Sequence, residues 1–314
     1  MKVFCSREEI GEIPYTAVAL GNFDGVHRGH AELIARTVRY ARERGLKSAV
    51  FTFSNHPKNV IVGRHVVKHI ASPEEKTEII RSLGVDFLFA PAFDETFHSM
   101  PPEVFVRDLL IGDFNAKAVS CGFNHHFGKD ASGNAVSLEE AAEREGFHIE
   151  VMEPFIVDGV LVSSTLVRRL ISEGKVDRCA KYMGRRFMMR GEVIRGKMLG
   201  RTLGFPTANI APDARLIIPG YGVYATLAEV DGKSFGSVTN IGVRPTVNGD
   251  RELSETHIFD FNEVIYGKNI KIFFLEKLRD ERKFSDTAAL AAQIAKDKEA
   301  ARERVRDLTA ADQG

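Results

Sequence analysis

Ten residues, Gly21-Asn22-Phe23-Asp24-Gly25-Val26-His27-Arg28-Gly29-His30, constrain the fold more than any other stretch of the chain. They follow a short apolar run, Tyr15 to Leu20, that reads as a buried parallel strand. They precede Leu33, Ile34, Thr37, Val38 and Ala41, which recur at helical spacing with charged residues between them. The pattern is strand, tight turn, helix N-terminus. Such a turn offers free backbone N–H groups and the positive end of a helix dipole, and phosphates bind there. Glycine permits the sharp turn and the close approach of a ligand. His27 and His30 flank Gly29, so two imidazoles stand at the mouth, suited to charge that grows on a phosphate during transfer. The His-x-x-His spacing also occurs in zinc sites, but zinc needs a third and fourth ligand, and none stands nearby.

Lys47 to Phe53 is a second strand, and strand–helix–strand at this spacing forms a right-handed βαβ unit. Ser54-Asn55-His56-Pro57 follows at a strand's C-terminal end, where open α/β sheets hold ligands, which makes His56 a site candidate. Ser72-Pro73-Glu74-Glu75 opens a helix that Gly84 ends. Phe87 to Ala90 reads as strand, Pro102 to Leu110 as helix and Ala116 to Cys121 as strand. A capping-box pattern at Ser137 starts the next helix, and His148 to Val151 is a fifth strand. This alternation predicts a doubly wound parallel sheet. The loop Gly122 to Gly133 carries Asn124 and the pair His125-His126, read either as metal ligands or, more commonly, as packed and solvated side chains. Ser163-Ser164-Thr165 precedes a helical apolar pattern. Hydroxyls there cap a helix, and the same geometry lets Ser164 and Thr165 bind a triphosphate tail with Arg168 as its clamp.

At 314 residues two domains are expected. The pattern changes at Gly184-Arg185-Arg186, giving domains 1–183 and 187–314 joined by a linker at 184–186. Short strands follow at Phe187 to Val193, Gly222 to Val230, Ser234 to Asn240, His257 to Phe261 and Ile270 to Leu275, with a hairpin signal at Asp231-Gly232. Strands so close together predict a small antiparallel β-barrel. Asp286 to Leu308 is an Ala-rich amphipathic helix whose alternating charges read as a solvated face. Lys plus Arg and Asp plus Glu both number 43, so no basic bulk points to nucleic acid. No run is long enough for a membrane span. The N-terminus turns acidic too early for a secretory signal, and Cys5, Cys121 and Cys179 form neither a CxxC pair nor a disulfide framework, so a reduced cytoplasm is expected. Formation of a homo-oligomer stays open.

Within the barrel region, Gly191 to Lys197 nearly spells a P-loop, but Met198 occupies the magnesium-binding position and no strand–helix context follows. Glycine-rich backbone, here including Gly196 and Gly204, can still wrap phosphates through its N–H groups. Pro206-Thr207-Ala208-Asn209 offers the Thr207 hydroxyl and the Asn209 carbonyl to a hard cation such as Mg²⁺. Ser254-Glu255-Thr256-His257 puts the Glu255 carboxylate at the start of a strand.

The first motif resembles the HxGH signature of nucleotidyltransferases, and GNFDGVHRGH is most similar to the bacterial bifunctional riboflavin kinase/FAD synthetase family. Gly122, Asn124, Phe127 and Gly128 match that family's loop, where His125 replaces the usual Phe. Ser164, Thr165 and Arg168 match its Ser-Ser-Thr-x-Ile-Arg motif, with Leu166 and Val167 as departures. Ser54 and Asn55 stand where the family has an acidic residue and a proline before His56. Gly204 to Asn209 spells the kinase signature Gly-x-Pro-Thr-Ala-Asn. The resemblance implies FMN and FAD synthesis from riboflavin and ATP. It implies ATP or phosphate contacts at Gly21, Asn22, Phe23, Asp24 and Asn124, flavin near His56 and Pro206, Mg²⁺ on Thr207 and Asn209, and Glu255 as catalytic base. Two rivals stay open: a related nucleotidyltransferase whose barrel only binds, and a non-catalytic flavin sensor.

Overall fold

The computed structural model describes residues 1–196, 204–246 and 249–311. Residues 197–203 of the glycine-rich string lie outside it. Two compact units divide the chain, Met1–Ser164 and Thr165–Gly314.

The first unit holds β1 (Lys2–Phe4), β2 (Thr16–Leu20), β3 (Lys47–Phe51), β4 (Phe87–Phe89), β5 (Ala116–Gly122), a small hairpin of β6 (His126–Phe127) and β7 (Gly133–Asn134), then β8 (His148–Met152) and a second hairpin of β9 (Ile156–Val157) and β10 (Val160–Leu161). Six of these form one parallel sheet in the order β1-β4-β3-β2-β5-β8. The expected doubly wound sheet is therefore present, with an additional edge strand at Lys2–Phe4. Three residues are too few to show a period-two pattern. Every residue of β2 is buried because both faces are covered. Val18 and Leu20 pack into one core with Phe51, Phe89, Leu109 and Phe114, while Ala19 packs into the other with Phe23, Ile34, Val38 and Ile80. Phe51 touches the rings of Phe53, Phe89, Phe97, Phe105 and Phe114, which uses much of the chain's abundant phenylalanine. Chain order reverses at β2, so the loops after β2 and β5 meet the crevice at the sheet's C-terminal edge.

Two helices differ from the sequence expectation. The one opened by Pro102 becomes a π-helix over Phe105–Asp113, closed by Phe114 N–H on the Leu109 carbonyl at 2.9 Å. The wider turn buries Phe105, Val106, Leu109 and Leu110 together. The helix expected from Ser137 begins at Ala135. Its N-cap is Asn134, which accepts from Ser137 N–H while the Ser137 hydroxyl accepts from Asn134 N–H. Ser137 is thus the third residue of the capping box rather than its first.

The second unit carries the helices Ser164–Ser172 and Val176–Met183, separated by Gly174 in the left-handed region (φ +72°). They bury Val167, Leu170, Ile171, Val176, Cys179, Tyr182 and Met183, and Gly220 N–H donates to the Ile171 carbonyl at 3.0 Å. A closed barrel follows, made of β11 (Met188–Ile194), β12 (Ala208–Ile210), β13 (Gly222–Val230), β14 (Lys233–Thr246), β15 (Gly249–Ile258) and β16 (Asn269–Arg279), in the order β11-β12-β15-β14-β13-β16. The Asp231-Gly232 turn joins β13 to β14 with both residues at positive φ, as a tight hairpin requires. The strand expected at His257 to Phe261 ends at Ile258, and Glu255 sits inside a ten-residue strand rather than at its start. The C-terminal helix Thr287–Ala311 is more than a solvated face. Ala301 is fully buried with Val223, Val238, Phe259 and Leu275, and Arg279 grips the buried Asp297 through hydrogen bonds of 3.0, 3.1 and 2.7 Å.

Candidate active sites

In the first unit His27 is the N-cap of the helix Arg28–Glu43, its Nδ1 accepting from His30 N–H at 3.2 Å. An accepting Nδ1 has no proton, so the N–H of a neutral His27 is on Nε2. The His27 and His30 rings stack at 3.6 Å and 15°, and His30 stands edge-on to the buried Phe23 ring at 5.2 Å. Gly29 sits in a tight space, where a Cβ would lie 3.1 Å from Phe155 and 3.4 Å from the His27 ring.

The turn itself is strained. Phe23 and the β-branched Val26 adopt φ of +46° and +37°. Residues held this way cost on the order of 1–3 kcal/mol each and persist only where surroundings over-determine them. The Asn22 carbonyl accepts from Thr52 Oγ1 at 2.8 Å, Asp24 Oδ1 accepts from Ile70 N–H at 3.0 Å, and the Asp24 carbonyl accepts from Ser164 Oγ at 3.1 Å. Gly25 packs so closely on Ile70 that a Cβ would meet it at 2.6 Å. Of the expected phosphate contacts, Phe23 and Asp24 are buried within this scaffold.

The other candidates of this unit lie at strand ends. His56 caps the helix Pro57–Val62, its Nδ1 accepting from Lys58 N–H at 3.2 Å. Asn55 bonds Phe93 twice, accepting at 2.6 Å and donating at 3.0 Å, which shapes the loop before His56. Asn124 is exposed after β5. Its neighbours His125 and His126 sit in opposite environments. His125 stacks on Phe127 at 5.9 Å and burial lowers its pKa to about 4, so at neutral pH it is an uncharged aromatic ring. His126 is exposed, 3.2 Å from the Ala131 carbonyl. Among the described residues no group of three or more His, Cys, Asp or Glu is placed to hold a metal. Thr165 and Arg168 follow Ser164 on its helix and belong to the second unit.

The second unit has two cavities of about 260 and 250 Å³. Gly196, Pro206, Thr207, Asn209 and Tyr266 help line the first. Thr207, Asn240, Glu255, His257 and Arg279 help line the second, whose apolar wall includes Val223, Val238 and Leu290. Thr207 borders both. Strand register sets Asn209 directly opposite Glu255, and Glu255 opposite Asn240. Cross-strand partners share a face, with Cβ atoms about 5 Å apart. Asn209 is buried, and among the described residues its Oδ1 has no hydrogen-bond donor. An orphaned amide oxygen in a cavity that Thr207 also lines fits a hard cation that keeps most of its waters and phosphate ligands. Gly196 makes room for it, because a Cβ would come within 2.6 Å of Asn209 Nδ2. Gly204 takes φ +83° at the start of the signature.

Sequence reasoning missed two side chains. His257 lies 2.9 Å from the Pro206 carbonyl through Nδ1, which must donate, leaving a buried Nε2 lone pair with no partner among the described residues at the second cavity. Lys76 is 6% exposed, and its ammonium reaches the backbone of the first motif. Its place among Glu74, Glu75 and Glu78 looks like an ordinary charged helix surface, so no sequence signal marks it.

Comparison with known proteins gives two family models, described as FAD synthetase over residues 11–166 and riboflavin kinase over residues 183–305. Proteins named bifunctional riboflavin kinase/FMN adenylyltransferase are similar along most of their length. The one from Haemophilus influenzae is 35% identical over 91% of this chain and 93% of its own. That from Bacillus subtilis is 36% identical over 91% of each chain. That from Escherichia coli K12 is 34% identical over 96% of this chain and 97% of its own. A crystal structure of a Streptococcus pneumoniae protein named macrolide-efflux protein superposes with a TM-score of 0.88 at 31% identity, covering 96% of this chain and 98% of that one. Among the described residues here, no helix is long and apolar enough to cross a membrane.

Proposed function

The chain belongs to the family of bifunctional riboflavin kinase/FMN adenylyltransferases, and from that premise we propose how its two units divide the chemistry. The C-terminal unit phosphorylates riboflavin with ATP to give FMN, and the N-terminal unit joins FMN to AMP from a second ATP, giving FAD and pyrophosphate. The observation that carries the kinase assignment is the register of Asn209 against Glu255, with Thr207 bordering both cavities.

In this reading the nucleotide occupies the first cavity and the flavin the more apolar second. Glu255 accepts the proton of the riboflavin 5′-hydroxyl as its oxygen attacks the γ-phosphorus and ADP leaves. Mg²⁺ held by Thr207 and Asn209 would neutralise charge on the transferring phosphoryl group. Gly196 and Gly204 allow backbone to approach the phosphates; Pro206, expected near the flavin, lines the nucleotide cavity instead. In the other unit the FMN phosphate is already ionised at neutral pH and attacks the α-phosphorus directly, so no general base is needed. His27 and His30 donate to the growing charge on the phosphate. The turn Gly21 to Asp24 receives the phosphates, Asn124 and Ser164 hold the nucleotide, and His56 stands near the flavin. Small molecules are its partners, rather than nucleic acid or membrane. The cytoplasm is its compartment, consistent with three free thiols.

Incubating the full chain with riboflavin, ATP and Mg²⁺ and separating the flavins should show FMN first and FAD after it. A barrel that only binds would yield no FMN. We place the functional boundary at 184–186, so residues 1–183 alone should convert FMN to FAD. The fragment 165–314 should make FMN and melt at a higher temperature than 187–314, since it keeps two helices with seven buried side chains. Thr207→Ala should slow the kinase and raise its Mg²⁺ requirement; an unchanged Mg²⁺ titration would remove Thr207 from the metal site.

A further inference from the structure

We propose that Lys76 is a positioning residue for adenylyl transfer, its ammonium tying the phosphate-binding turn after β2 to the loop after β3 that leads to His56. The inference rests on the assignment of that reaction to the N-terminal unit. Lys76 sits in the helix Pro73–Ser82 and is 6% exposed. An ammonium taken that far from water costs several kcal/mol unless its protons are used. Here all three have oxygen partners, at 2.6 Å for the Phe53 carbonyl, 3.2 Å for Thr52 Oγ1 and 3.3 Å for the Asn22 carbonyl. The Thr52 hydroxyl donates onward to the same Asn22 carbonyl at 2.8 Å.

Asn22 and Phe53 each stand two residues past the end of a central strand, β2 and β3, where the ladder no longer holds the backbone. Lys76 therefore continues the sheet's cross-linking into the two loops. It clamps one flank of a turn whose left-handed Phe23 and Val26 need outside support. The other flank is held through Asp24, which takes Ile70 N–H at 3.0 Å and lies 3.9 Å from His69 Nδ1. His69 in turn is edge-on to His56 at 5.9 Å.

The clamp needs the charged form. A neutral amine has two N–H groups and a lone pair, and one of the three oxygens would then face that lone pair. Burial lowers the Lys76 pKa to about 8, against the attraction of Asp24. Asp24 faces it from the turn, His69 stands beyond Asp24, and Glu74 and Glu75 precede it on its own helix. Rising pH through that value should loosen the turn and slow FAD formation, with no matching effect on the kinase chemistry of the other unit.

The test is to measure FMN-to-FAD and riboflavin-to-FMN turnover across pH, with the full-length wild type and Lys76→Met. Wild type should show a declining alkaline limb in kcat for FAD formation, centred near 8, that the kinase lacks. Lys76→Met should lose about 10²-fold in kcat for FAD formation, as misplacement of a reacting group by about 1 Å does, with KM for ATP and FMN changed less. It should also lack the alkaline limb and keep its kinase activity. A wild type with flat alkaline kcat overturns the proposal even if the variant fails to fold. So does a variant that keeps full kcat or keeps the limb. A wild type that forms no FAD at any pH would instead overturn the functional assignment itself.

Discussion

Glu255→Gln should lower riboflavin phosphorylation by about 10²–10⁴-fold and leave FAD formation from supplied FMN at its normal rate. The amide keeps the size of the carboxylate and lacks its basic lone pair. Glu255 lies inside β15, paired with β12 and β14 through backbone hydrogen bonds that the change does not touch. The barrel should therefore stay folded. Riboflavin and ATP binding should change little, because proton transfer to Glu255 belongs to the transition state. FAD formation in the same chain serves as the control for concentration and handling. Kinase activity at the wild-type level would mean the hydroxyl proton goes elsewhere. The buried His257 Nε2 lone pair at the same cavity would then be the next base to test.

Much of this arrangement is legible in the sequence where local pattern and global fold agree. The β2 run, the Gly-rich turn and the first helix carry their signals within about two dozen residues. The Asp231-Gly232 hairpin and the glycines at 84, 174 and 184 announce themselves through positive φ. Misses arise where tertiary packing decides. β1 and β12 are three residues each, too short for periodicity, and exist because a neighbouring strand completes their ladder. The π-helix follows from the need to bury Phe105, Val106, Leu109 and Leu110 at once, which no propensity encodes. The C-terminal helix looks solvated from its charges, yet Asp297 is buried because Arg279 comes from a strand 18 residues earlier to meet it. Lys76 is the extreme case: two of its three partners are backbone oxygens, and backbone oxygens carry no sequence signature.

His27→Ala and His30→Ala should each reduce FAD formation by about 10²–10³-fold while FMN still accumulates from riboflavin, since each removes a donor to developing charge. The two need different controls. His30 contributes a ring that stacks on His27 and stands edge-on to Phe23, so its loss leaves a gap under the turn. His27 has a second task as N-cap, its Nδ1 holding His30 N–H. Alanine there also removes a cap worth about 1 kcal/mol, so a fall in rate alone could come from a frayed helix. His27→Ser separates the tasks. Serine restores an acceptor for the cap but places no donor where Nε2–H stood. The thermal stability of His27→Ser should recover toward wild type while FAD formation stays low. If His27→Ser regains both stability and rate, His27 is a cap and no more. The double variant should cost less than the product of the two single losses, because stacked rings acting on one phosphate are not independent. Fully multiplicative losses would separate the two histidines and remove the shared-site assignment.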